Sequence, residues 1–160
     1  MNNTDTATEA FNALRIGFAR NLVSFKQSSL FDDLYLHFDA PNDTPRLTYV
    51  FFDPDDSESI IAQCVIVFGG WISETEKKWQ IGWCVDENFR NKGLGFSIAS
   101  KALTEFSSKS MFHGDYIEAT VDQGNVPSIK ISQKLIGSEE LLFCESTGLH
   151  VHSFLKLIGN

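Results

Sequence analysis

A mixed α/β domain is predicted by three observations. Strand-like apolar runs cluster between residues 47 and 85. Helical and strand-like patterns then alternate from 94 to 135, and two short strand-like runs close the chain. Strands first and alternation afterwards indicate a layered sheet-and-helix sandwich. At 160 residues the chain fits a single domain spanning 1–160, large enough to bury most of its apolar surface without staples.

The elements follow in order. Thr4 to about Leu22 carries Phe11, Leu14, Phe18 and Leu22 at helical spacing, which predicts an amphipathic helix. Ser28 to Phe38 fits two patterns: SLFDDL looks helical, whereas Leu34, Leu36 and Phe38 alternate like a strand. Pro41 to Pro45 is a loop, Leu47 to Phe52 a strand and Asp53 to Ser57 a turn. Ile60 to Phe68 is a second strand, which Gly69 and Gly70 are expected to break. Trp79 to Val85 is a third strand and Leu94 to Phe106 a helix. Strand 116–121 and helix 127–135 come next. Leu141 to Cys144 and Val151 to Ile158 are the last strands, paired through a turn at Gly148.

The segment IGWCVDENFRNKGLGFS, residues 81–97, is the most informative. An apolar strand ends in a polar turn. Arg90, Gly93 and Gly95 then fall at the spacing R-x-x-G-x-G, and a helical pattern starts at once. A strand, a glycine-bearing turn and a helix N-terminus together make an anion cradle. Free N–H groups and the helix dipole attract negative charge, and glycines let backbone approach phosphate. A P-loop is excluded because no G-x-x-x-x-G-K-[ST] occurs. A dinucleotide fingerprint is excluded because its third glycine position holds Ile98.

A second block reads YIEATVDQGNVPSIKISQKL, residues 116–135. A short β-prone run leads through turn chemistry into a helix with proline in its first turn, where the missing N–H costs nothing. Asn125 and Ser128 form N-x-x-S, and Lys134 and Leu135 a K-L pair.

The two blocks, in this order and spacing, resemble the motifs of the GNAT N-acetyltransferases over about residues 60–137. The motif style is closest to the subgroup resembling ribosomal-protein N-terminal acetyltransferases. The resemblance implies a GNAT fold: a mostly antiparallel, splayed sheet of about six or seven strands with about four helices. It implies acetyl-coenzyme A as cosubstrate, held in the splay between strands 79–85 and 116–121. It carries coenzyme contacts onto Cys84, Val85, Arg90, Asn91, Lys92, Gly93, Leu94, Gly95, Phe96, Asn125 and Ser128. Amides around Cys84 and Val85 would face the thioester carbonyl. The implied reaction is acetyl transfer to a primary amine of a small molecule, a peptide or protein N-terminus, or a lysine. A weakly catalytic coenzyme-binding protein and an interaction domain that kept only the fold remain the alternatives. The family's usual opening strand is not evident here, unless it is Leu34 to Phe38.

The proton-transfer groups are less marked. The family's frequent tyrosine acid, seven residues after the motif asparagine, is replaced by Ser132. Serine is a poor acid, and an isolated helix serine usually faces solvent or its own turn, so Ser132 is expected on the helix surface. Glu118 and Thr120 share one strand face. Glu118 is a candidate base but is expected to be structural. His150 and His152 share a face of the last strand without a third ligand in the pattern, and no metal is expected. Trp71 and Trp79 could wall an acceptor site and Trp83 could line the acetyl pocket, with core packing as the default for all three.

Composition bounds the partners. A net charge of −8 and a pI near 4.9 argue against a nucleic-acid binder and are compatible with a cationic amine steered to the protein. Cys64, Cys84 and Cys144 are odd in number and sit in apolar runs, as reduced core residues do. No signal-like or membrane-length apolar segment appears. A cytoplasmic location is expected, without membrane contact, and a homodimer is allowed.

Overall fold

The computed structural model describes residues 3–137, 139–145 and 147–159. Helix α1 (Asn3–Ala19) opens the chain. Strands β1 (Lys26–Gln27), β2 (Tyr35–Asp39), β3 (Arg46–Asp53), β4 (Asp56–Trp71) and β5 (Lys77–Val85) follow. Then come α2 (Leu94–Ser107), β6 (Tyr116–Asp122), α3 (Val126–Leu135), β7 (Glu139–Cys144) and β8 (Leu149–Leu157). The strands form one sheet in the order β1-β2-β3-β4-β5-β6-β8-β7. Every neighbouring pair is antiparallel except β5 and β6.

Eight strands and three α-helices among the described residues replace the expected six or seven and four. The ambiguous 28–38 region accounts for part of the difference. SLFDDL is not a helix, because Ser28 Oγ accepts from the amides of Leu30 and Phe31, both at 3.1 Å. Such local side-chain bonds compete with helix formation. The Tyr35–Asp39 half became β2. Gly69 and Gly70 do not end β4 either. A Cβ at Gly69 would lie 2.9 Å from Gln80 Cγ, so glycine lets β4 and β5 run close, and Gly70 at φ +106° absorbs a register shift between Phe68 and Trp71.

Side-chain alternation divides the core between the two sheet faces. Tyr49, Phe51, Cys64 and Ile66 pack with Ile98, Ala102 and Phe106 of α2. Val50 and Ile60 pack with Phe11 of α1, ringed by Leu14, Phe18 and Phe25. Trp79 belongs to the α2 side: it is buried against Phe106 and Phe112, and its Nε1 donates to Asp115 at 3.0 Å. Trp71 is 58% exposed, with Lys77 over its ring, and is not among the residues that line the cleft between β5 and β6. Cys64 is a buried core thiol as expected. The Cys144 side chain lies outside the described residues. Among those residues, no helix is long and apolar enough to cross a membrane.

The sheet parts at its one parallel junction. β5 and β6 pair only over Lys78–Gln80 and Tyr116–Glu118, and both strands run on beyond that point. Glu118 pins the vertex. It accepts from Gln80 Nε2, sits 3.3 Å from Lys78 Nζ, and accepts from Ser153 Oγ of β8 at 3.0 Å. One carboxylate thus ties three strands together where the ladder stops.

Candidate active site

Beyond the vertex the parted strands leave a cleft of about 710 Å³. Its walls are the free ends of β5 and β6, the turn and first residues of α2, the start of α3, and residues Thr6, Ala7, Thr8 and Ala10 of α1.

The α2 end of the cleft is built by backbone. Asn91 and Gly93 adopt left-handed conformations, at φ +62° and +77°, which turn the chain sharply into the helix. The first helical bond runs from Ser97 N–H to the Gly93 carbonyl at 3.1 Å. The amides of Leu94, Gly95 and Phe96 therefore have no acceptor within the helix. No side chain caps this end and its first turn carries no acid. All three residues, with Arg90, Asn91 and Gly93, line the cleft. Lys92 does not; its Nζ lies 5.3 Å from the centre of the Phe89 ring. An uncapped helix end facing a cleft is a site for an anion.

Gly95 has a different reason for being glycine. A Cβ there would lie 3.1 Å from Ile131 Cδ1 of α3, so its small size permits the close approach of two helices. At Gly93 a Cβ would meet nothing within 4 Å; only its φ calls for glycine.

The β5 edge supplies further donors. Asp86 N–H donates to Ile61 on β4 at 2.8 Å. Peptide groups alternate between the two edges of a strand. The Cys84 amide thus faces β4, whereas those of Trp83 and Val85 face the gap. Arg90 Nε donates to the Val85 carbonyl at 3.1 Å and folds the turn back on the strand. The Cys84 side chain points to the α1 face, where Thr8 hydrogen-bonds it. Burial pushes its thiol pKa up, against the lowering pull of Arg90, Thr8 and Arg15, so the sulfur is not an activated nucleophile. Asp86 anchors the turn. Burial opposes its charge, but the Asn88 amide and the Arg15 guanidinium prevail and hold its carboxyl below the usual carboxylate range.

On the opposite wall, Asn125 and Ser128 line the cleft together. Asn125 Oδ1 accepts from the Ser128 amide at 3.4 Å and caps α3. Ser132 is not on the helix surface: it is fully buried, and its hydroxyl has no partner among the described residues. The helix face it occupies turns inward, and its Oγ is absent from the cleft wall. Glu118 is likewise off the wall, with its oxygens taken up by the vertex. Trp83 does line the cleft. Several cleft residues carried no signal in the sequence. Thr6 and Thr8 enter through the docking of α1, and Gln63 and Gln80 through strand pairing.

A family model described as an acetyltransferase (GNAT) domain matches residues 25–136. No curated protein matches in sequence. Among solved structures, the fold is similar to a GNAT-family acetyltransferase from Streptococcus pneumoniae, at TM-score 0.55 and 17% identity over 71% of this chain and 67% of that one. It is similar to Arabidopsis thaliana NAA60 in complex with acetyl-CoA, at TM-score 0.55 and 15% identity over 70% and 76%. It is also similar to a spermidine N-acetyltransferase from Vibrio cholerae, at 0.53 and 17% over 70% and 65%.

Proposed function

The chain belongs to the GNAT acetyltransferase family, and from that premise we propose that it moves the acetyl group of acetyl-coenzyme A to the primary amine of an acceptor. The observation that carries this is the open N-terminus of α2, uncapped and without an acid, set in a cleft between parted strands. The amides of Leu94, Gly95 and Phe96 suit a pyrophosphate. The gap-facing amides of Trp83 and Val85 suit a carbonyl oxygen gaining negative charge, and preorganised donors of that kind are commonly the largest catalytic term. A neutral amine attacks the acyl carbon, the C–N bond forms and the C–S bond breaks. The proton leaves to water, and the thiolate departs as such or takes a proton from water.

The lining supports solvent-mediated proton transfer. Asp122 is its one carboxylate, and it holds no tyrosine or histidine among the described residues. Ser132 and Glu118, both off the wall, are assigned structural roles. The same lining favours a second reading, a coenzyme-binding protein with weak catalysis. Calorimetry with acetyl-coenzyme A, followed by thiol release with a panel of amines, separates the readings. Binding with transfer is expected. Binding without transfer to any amine would establish the second, and absence of binding would refute both.

A further inference from the structure

Gln63 lies on β4 directly across the ladder from Cys84, on the α1 side of the sheet, and lines the cleft. It is only 3% exposed. Its amide makes no hydrogen bond to any described residue, and the little surface it keeps opens onto the cleft. The amide is not sealed in: among the described residues the buried polar side-chain atom without a partner is Ser132 Oγ, not the Gln63 nitrogen or oxygen, so the Gln63 amide meets the cleft, where water or a ligand group can bond it. It is therefore a group that a ligand would satisfy. An amide donates and accepts at once, and its best complement is another amide, whose carbonyl and N–H can close a paired contact with it.

The charges around it point the same way. Arg46 and Arg90 line the cleft; Arg46 Nε donates to Asp39 at 2.9 Å, and Arg90 is bonded to the Val85 carbonyl. The lining carboxylate, Asp122, has a partner within the chain. A second cation on the acceptor would find two arginines and no unengaged carboxylate. The net charge of −8 is not concentrated in this wall. Near Gln63 the polar lining is uncharged: Thr8, Gln80, Thr120 and the Cys84 thiol.

We propose that Gln63 determines acceptor specificity by pairing with an uncharged amide next to the reacting amine, so that α-amino amides are preferred over simple amines and polyamines. This rests on the cleft being the acetyl-transfer site.

The test uses the full chain with acetyl-coenzyme A and three probe acceptors: alaninamide, propylamine and spermidine. Coenzyme release is followed with a thiol reagent. Wild type is expected to favour alaninamide over propylamine by about tenfold or more in kcat/KM, and to use spermidine worst, since a site built to hydrogen-bond a substrate group rejects analogues lacking it. In Gln63→Leu that ratio should collapse to within about threefold, through a raised KM for alaninamide. Acetyl-coenzyme A affinity should not change, and the melting temperature should not fall, because the amide holds no bond within the described residues. Gln63→Glu should shift the preference toward spermidine. An unchanged alaninamide-to-propylamine ratio in Gln63→Leu overturns the inference and leaves acetyl transfer standing. So does a wild type that prefers propylamine or spermidine. A melting temperature lowered by several degrees in Gln63→Leu would show that the amide is a structural bond, and would also overturn it. If wild type binds acetyl-coenzyme A but acetylates none of the probes, the specificity role fails; if it does not bind, the acetyl-transfer reading itself fails.

Discussion

Helices α2 and α3 both start at the cleft, and they end their backbones there in opposite ways. At α3 the chain satisfies itself: Asn125 accepts from the Ser128 amide, and proline removes one donor from the first turn. At α2 there is no cap and no first-turn acid, and a left-handed glycine holds the amides of Leu94, Gly95 and Phe96 open. A helix end that closes itself has no need of a ligand. One that leaves its donors bare gives up the roughly 0.5–2 kcal/mol a cap supplies, and an arriving anion can return it. The contrast separates the wall open to an anion from the wall that frames the cleft.

The sharpest way to break the contrast is to close α2. Gly93→Asp adds a cap and a charge where a Cβ has open space, and Asp tolerates a left-handed φ. Acetyl-coenzyme A affinity, by calorimetry, should fall about 100-fold or more, since unit charges 4 Å apart repel by about 4 kcal/mol at an effective dielectric of 20. Gly93→Asn, which caps without charge, should lose far less. Equal losses in the two variants would mean that charge at this end is irrelevant. Gly95 is a poorer probe, because any side chain there meets Ile131.

Opening α3 is the reverse experiment. Asn125→Ala should cost about 1 kcal/mol of stability in denaturant unfolding while changing coenzyme affinity by less than about fivefold, the scale of one net hydrogen bond. A tenfold loss of affinity at unchanged stability would make Asn125 a ligand group.

A smaller effect concerns two carboxylates, Asp86 in the turn that leads into α2 and Glu105 near the far end of that helix. The folded pKa values of Asp86 and Glu105 are lowered: burial opposes their charge, but hydrogen bonds from Asn88 and Arg15, and from Ser28 and Ser29, prevail. Groups with depressed folded pKa values stabilise fully above their unfolded values and lose that contribution as pH falls through the folded ones. The melting temperature should therefore be nearly flat from pH 7 to 5 as far as these groups are concerned, and should fall below the ordinary carboxylate values of 3.8 and 4.5. Arg15→Ala should cost about 1 kcal/mol near neutrality, as a half-exposed ion pair does, and should soften the acid limb. An unaltered acid limb would detach Arg15 from it.

Ser132→Ala should do least. Removing a buried hydroxyl that has no partner should leave stability unchanged or slightly raised, and kcat should drop by less than about tenfold. A hundredfold fall at constant coenzyme affinity would place this serine in the chemistry after all, since loss of a general acid typically costs about 10²–10⁴-fold.

What the sequence disclosed was local. R-x-x-G-x-G after an apolar run, and N-x-x-S before a helix, are rules about neighbours, and both turns formed as read. Long-range packing supplied the remainder. Gly95 is glycine because of Ile131, far along the chain. Ser132 is buried because of which α3 face turns inward. Alternation of peptide groups along β5, fixed by its pairing with β4, brings Trp83 to the gap and takes the Cys84 amide away from it. Gln63 stands in a strand whose periodicity marks only a face, and nothing local shows that its amide lacks a partner.

Helix α1 precedes the matched region 25–136, yet Thr6 to Ala10 form one side of the cleft and Arg15 holds Asp86. During synthesis it therefore emerges before most of the surface on which it rests. It packs against β4, β5 and β6, and at roughly 5–20 residues per second those strands follow only after several seconds. Helix α1 is thus made before the strands that seat it. Both the side of the cleft beside Gln63 and the Arg15–Asp86 contact in the turn before α2 therefore wait on the seating of this one helix.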